Sequence, residues 1–189
     1  MLDKKIKIKS NEDRVFFWPF YDQKLREASF IFELAENSAL TNIFLFSAAG
    51  NAHFNINIAV KHLGRNSSSK TVIRAICKDR AAVSVIAKAE ASKEAVKANV
   101  WLESRALLFG ESQCRFDPRL EILTSEVERA GHAAAVSRIS EEELFYLASR
   151  GLNQMDAEKL KIEGFFLAPF LQMGFNFRKA RKIIKPLLV

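Results

Sequence analysis

Cysteine is scarce: Cys77 and Cys114 are the only two in 189 residues. They are too few and too far apart for a disulfide framework or a zinc site, which need closely spaced ligands, so a reducing compartment is expected. Long apolar runs are also missing. The longest, from Gly164 to Phe177, is interrupted by Pro169, Gln172 and Asn176 and falls short of the ~20 residues that span a bilayer. The first residues are charged and then polar, without the apolar run and small-residue cleavage site of a secretory signal, so a cytoplasmic protein is expected. No Gly-rich Walker loop is there to cradle phosphates. No convergent group of His, Asp and Glu is there, which speaks against a metal-dependent enzyme. Tyrosine is rare, two against 16 phenylalanines, so the interior should rest on aromatic rings that carry no polar handle.

What is present is the composition of a folded domain, 49% hydrophobic and 27% charged, in a chain long enough for one core with or without a helical appendage. The net charge of +7 supports solubility and would favour an anionic partner. The basic residues are nevertheless scattered from Lys4 to Lys185, with no dense arginine patch interleaved with aromatics, so no nucleic-acid partner is expected. Lys4, Lys5, Lys7 and Lys9 read as a solvated chain end.

From about Phe30 to Leu123 apolar and polar residues alternate in short segments, the period of β-strands. Phe54, Ile56, Ile58 and Val60 share one side of a strand; Asn55, Asn57 and Ala59 take the other. Ile73, Ala75 and Cys77 repeat the pattern, as do Val83 to Ala89 and Val96 to Leu102, with turns expected at Gly64 to Ser69, Lys78 to Arg80, Ala91 to Glu94 and Gly110 to Pro118. A sandwich, a barrel and a parallel β-helix all fit this spacing. Two features favour the β-helix: Asn-Gly and Asp-Gly hairpin turns are absent, and small inward residues such as Ala75, Ala87 and Ala98 suit a narrow stacked coil. Val15 to Phe20 reads as an edge strand or, preferably, as a strap that caps the coil.

Helical patterning follows. Ser140-Glu141-Glu142-Glu143 is a capping box, and Arg150-Gly151 is a basic last turn with a left-handed stop. A second helix is expected from Asn153 to Gly164. A third carries Phe177, Ala180, Ile183, Ile184 and Leu187 on one side and Arg178, Lys179, Arg181, Lys182 and Lys185 on the other.

Several segments resemble the SufB/SufD family of iron–sulfur cluster assembly. They are His62-Leu63-Gly64-Arg65-Asn66-Ser67, Ser104 to Gly110, Pro118-Arg119-Leu120-Glu121-Ile122 and, most specifically, Gly131 to Gly151 with Glu-Glu-Glu-Leu-Phe-Tyr-Leu-Ala-Ser-Arg-Gly at its end. The resemblance implies a right-handed parallel β-helix over residues 30–139, preceded by a cap or strap over 1–29 and followed by a helical partner-binding region over 140–189. It also implies a non-catalytic, SufD-like component whose tail docks the ATPase SufC and whose β-helix pairs with a SufB-type chain or a second copy. Ser104 stands where the SufB cysteine would fall, and Ala133 where its glutamate would fall. A serine hydroxyl is a poor iron ligand beside a thiolate, so the chain resembles SufD more than SufB.

On this reading His132 matches the family's functional histidine and is the candidate metal and cluster ligand for a transient iron–sulfur cluster, with no cofactor held tightly. Cys114 is a second candidate, in an expected loop where nearby Arg115 would lower its thiol pKa. Phe145, Tyr146, Arg150, Phe165 and Phe166 are the candidate partner-binding residues, since aromatics and arginine anchor interfaces. The rival reading is a peripheral membrane or structural interaction protein that lays its basic third helix on anionic lipid; otherwise no membrane partner is expected.

Overall fold

The computed structural model describes residues 2–22 and 26–188, without the side chain of Glu141. Ten strands come first: β1 (Leu2–Ile8), β2 (Asp13–Phe20), β3 (Glu27–Leu34), β4 (Ala39–Ala48), β5 (His53–His62), β6 (Ser68–Cys77), β7 (Ala82–Ala91), β8 (Asn99–Leu108), β9 (Gln113–Ile122) and β10 (Arg129–Arg138). Three helices follow, α1 (Glu141–Ser149), α2 (Gln154–Gln172) and α3 (Phe177–Ile184), and a closing 3-10 turn (Lys185–Leu187).

Odd-numbered strands form one sheet in the order β1-β3-β5-β7-β9, and even-numbered strands a second in the order β10-β8-β6-β4-β2. Every described strand pairing is parallel. The chain therefore passes from one sheet to the other and back, a parallel β-solenoid of about five turns. Parallel neighbours cannot be joined by a tight hairpin, which is why the hairpin dipeptides are missing. The alternation Phe54, Ile56, Ile58, Val60 faces inward and is buried, while Asn55 and Asn57 are exposed. Inward rings pack on one another: Phe20 stacks on Phe46 of the next rung and Trp18 meets Phe30 at a tilt, each pair 4.7 Å apart, centroid to centroid.

Those rings explain one difference from expectation. Val15 to Phe20 is not a strap over the coil but part of β2, the edge strand of the second sheet, and the rungs begin at Leu2 rather than Phe30. Burying Phe16, Trp18 and Phe20 on the next rung outweighs the lost donor of Pro19, which an edge strand tolerates. Val96 and Ala98 lie in the corner before β8 rather than in the strand, because Lys97 takes a positive φ of 56° and breaks the alternation. Ser68 and Ser69, expected in a turn, open β6, and Gln113 to Pro118 is the first half of β9. The preceding turn ends at Ser112, whose hydroxyl donates to the carbonyls of Cys77 and Phe109, each at 2.8 Å.

Helix α2 is capped by Asn153, as expected, but does not end at Gly164; it continues through Pro169 to Gln172. Its buried face, Ile162, Phe166, Leu167 and Phe170, packs on Ile43, Leu45 and Ile76 from the outer face of the second sheet. That burial exceeds the ~1 kcal/mol cost of an internal glycine. Ala180, Ile184 and Leu187 complete this second core. Among the described residues no helix is long and apolar enough to cross a membrane.

Candidate functional site

The site builds from the last rung. Strands β9 and β10 end their respective sheets, so each presents one unpaired edge of backbone N–H and C=O groups. Such an edge is a template for strand addition. In β10 the inward positions are those whose register partners on β8 lie in the core: Ala130 beside Val100, His132 beside Leu102, Ala134 beside Ser104 and Val136 beside Ala106. All four β10 residues are exposed, because no further rung covers them.

His132 therefore stands at the mouth of the coil. Ser104 shares its inner face, one position along on β8, and is buried at 1% exposure. Ala133 pairs with Glu103 and points to the opposite face, so the two positions that in SufB would carry cysteine and glutamate do not converge here. On that outer face Gly131 lies against Trp101: a Cβ at 131 would come 2.7 Å from the indole ring. The Arg129 guanidinium covers the same ring at 4.7 Å.

Cys114 sits in β9, not in a loop. Its thiol faces the interior, where contact with Cys77 first and burial second raise it well above the ordinary thiol range. The lowering expected from Arg115 does not occur, since the neighbour that matters is a second thiol rather than a cation. His62, in the motif His62 to Ser67, is wholly internal: its Nδ1 lies 2.8 Å from Ser67 Oγ and its Nε2 2.7 Å from Ser69 Oγ. Ser67 Oγ also meets the Gly64 carbonyl at 2.8 Å. That oxygen donates to Gly64 and so accepts from Nδ1–H, leaving Nε2 to accept from Ser69. Burial pushes this imidazole down to about 4.

The aromatic candidates separate into two groups. Phe145 and Tyr146 on α1 are 75% and 57% exposed, and Arg150 stacks over the Tyr146 ring at 5.3 Å. Ser140 accepts from the Glu143 amide at 3.1 Å as the capping box requires, and the Glu143 carboxylate reaches Lys161 of α2 at 2.7 Å. Phe166, in contrast, is fully buried in the second core, and Phe165 leans on Phe166 and Arg74. Phe166 faces the chain's own sheet and is not an exposed anchor. Sequence reading expected pairing through the β-helix but not where; the free edge of β10 is a main-chain feature that leaves no residue-type signal except its small side chains.

Residues 21–165 match the family described as SUF system FeS cluster assembly, SufBD core domain. The chain belongs to the SufBD family. Within that family it is 36% identical over 116 residues to the iron–sulfur cluster assembly protein SufD of Bacillus subtilis (strain 168), covering 61% of this chain and 26% of that protein. It is 37% identical over 75 residues to the SufD protein of Escherichia coli (strain K12), covering 39% and 18% respectively. A SufBD family protein of Galdieria sulphuraria is 31% identical over 119 residues, covering 61% of this chain and 52% of that one. The matched segment thus spans about half, or far less, of each of these SufBD relatives. The family match takes in eight of the ten described solenoid strands, β3 to β10, and stops inside α2, so β1, β2 and α3 lie outside the SufBD core match.

Proposed function

We propose that this chain is a SufD-like, non-catalytic component of cytoplasmic iron–sulfur cluster assembly. It docks a SufC-type ATPase on α1 and pairs with a SufB-type chain, or a second copy, by strand addition at β9 and β10. The observation that carries this reading is the exposure of the last rung on its edge and its inner face, directly ahead of a helix whose aromatics are also exposed. A lone solvated protein gains nothing from leaving Val136, Phe145 and Tyr146 in water.

An iron–sulfur cluster is cargo on this reading. His132 offers it one imidazole, and among the described residues no group of three or more His, Cys, Asp and Glu comes together to hold a metal. The remaining ligands therefore come from the partner across the joint. Ser104 is a hydroxyl in a dry interior and suits a neighbour's hydrogen bond better than iron. ATP hydrolysis belongs to the SufC-type partner.

Helix α3 supports a second reading in part, since Arg178, Lys179, Lys182 and Lys185 are exposed together. Its apolar side is committed to the second core, so only charge remains for an anionic lipid surface. Co-purification separates the proposals. The Phe145→Ala/Tyr146→Ala chain should lose a SufC-type partner while retaining a SufB-type partner; undiminished SufC binding would remove α1 as the docking site. Flotation with phosphatidylserine vesicles would favour the lipid reading.

A further inference from the structure

The two ends of the coil differ. Both sheets are continuous and parallel, β1-β3-β5-β7-β9 and β10-β8-β6-β4-β2, so a second copy shifted along the axis would set its β9 beside β1 and its β10 beside β2. Each arriving strand would run in the direction its new neighbour already has. Such a head-to-tail contact never closes and grows into a fibre. The first rung carries what opposes it. Lys4 of β1 is in register with buried Phe30, and Arg14 of β2 with buried Leu40, so two cations hold inward positions, and both are exposed. The Lys4 ammonium lies 5.2 Å from the centre of the Trp18 ring. That indole packs over the interior of the coil, 4.7 Å from Phe30 and 6.0 Å from Phe44 between ring centres, and its Nε1 donates to Asn42 Oδ1 at 3.4 Å. Arg14 donates from Nε to Glu12 Oε1 at 2.7 Å. Pro19 leaves one position of β2 without a donor.

Among the described residues no inward position from β3 to β9 carries Lys, Arg, Asp or Glu. At the last rung Pro118 interrupts β9, while β10 offers Ala130, His132, Ala134 and Val136. The inward cation there, Arg138, closes the strand and donates to the Gly110 and Ser112 carbonyls. In the register that runs through the coil, an arriving last rung would set Pro118 on Lys4 and Ala130 on Arg14. Neither side chain can accept a hydrogen bond from a cation stripped of its water. We propose that Lys4 and Arg14 make the first rung a cap that turns away the rungs of another copy, so that each chain keeps one end for association. The cap rests on the reading of β10 as a strand-adding edge, and it makes association there stop at a closed pair.

The test is sedimentation of the full chain across a wide range of concentration, wild type beside Lys4→Val/Arg14→Val. Both side chains are exposed and valine suits a strand, so the fold is kept. The wild type, with one open end, should never exceed the mass of two chains. The variant, with two, should pass that mass and keep gaining as concentration rises. Adding Ala134→Lys to it moves the same device to the exposed inner face of β10 and should hold the mass to two chains at most. A variant that stays within two chains, a wild type that grows past two, or growth that survives Ala134→Lys would each overturn the proposal. A wild type that stays single while the variant grows would uphold the cap and remove the self-pairing of β10 instead.

Discussion

Arg74 donates to Glu103 Oε1 at 2.6 Å across β6 and β8, and the same guanidinium lies 5.7 Å from the centre of the Phe165 ring of α2. This charge pair, on the outer face of the second sheet, is buried on its Arg74 side and joined from the rim by Arg105 at 3.0 Å. It is a polar element in the largely apolar joint between solenoid and helices, where Lys78 also reaches Glu158 of α2 at 3.9 Å. Burial pushes the Glu103 carboxyl up, but the Arg74 hydrogen bond and the surrounding cations hold it below the ordinary range.

Removing one partner of such a pair costs more than removing its charge symmetrically, because the survivor is left uncompensated. Glu103→Ala should therefore destabilise by about 2–4 kcal/mol, more than the Arg74→Met/Glu103→Leu double variant, as read by urea unfolding. Because the folded carboxyl titrates below its unfolded value, its contribution is present above about pH 4.5 and disappears as pH falls through the folded value. Equal costs for the single and double variants would show that the joint is held by apolar packing alone.

His62 makes a second pH prediction. A base pushed from 6.5 down to about 4 by burial binds its proton more readily in the unfolded chain, so stability falls as pH drops between those values. The loss should approach roughly 3 kcal/mol by pH 4 and be absent above neutrality. His62→Asn should be less stable at pH 7 yet show a flatter profile from pH 6.5 to 4. An unchanged slope in that variant would assign the acid sensitivity elsewhere.

The corners of the coil repeat a left-handed residue: Asn11, Asn37 and Asn66 all have φ between 54° and 59°. Their amides stack, Asn66 Nδ2 donating to Asn37 Oδ1 at 2.9 Å and Asn37 Nδ2 to Asn11 Oδ1 at 3.3 Å. Asn66→Ala should cost about 1–2 kcal/mol, and Asn66→Gly less, since glycine keeps the backbone and loses only the amide. Gly64→Ala should exceed both, because its Cβ would fall 2.2 Å from the Glu36 backbone nitrogen of the previous rung. Thermal melts of the three variants give the order.

Phe145 and Phe166 offer a contrast within one tail. Phe166→Ala opens a cavity in the second core and should cost about 3–5 kcal/mol. Phe145→Ala should stay within about 0.5 kcal/mol, because its ring is mostly in water. A large stability loss at Phe145 would mean that α1 packs on the body and is not held out for a partner.

The strand positions around β5 to β7, the capping box at Ser140 and the start of α2 at Asn153 were legible because each is local: alternation, a cap or a turn reports on its own neighbours. The family motifs were legible in the same way. The strap expected over Val15 to Phe20, the end of α2 expected at Gly164 and the availability expected of Phe166 were misread. In each case distant apolar surface overrode the local preference of a proline, a glycine or an aromatic run.

The amino-acid order alone determined that this protein is a run of short β-strands followed by helices, and it favoured a coil over a sandwich or barrel, since period-two alternation, missing hairpin signals and helix caps act over a few residues. Only the tertiary structure decided that β2 is a rung, that α2 lies across the second sheet, that Cys114 turns from β9 towards the core and that His132 opens to solvent. Those facts depend on which turn of the coil stacks on which, and that register is set by side chains packing between residues some thirty positions apart, such as Asn37 and Asn66.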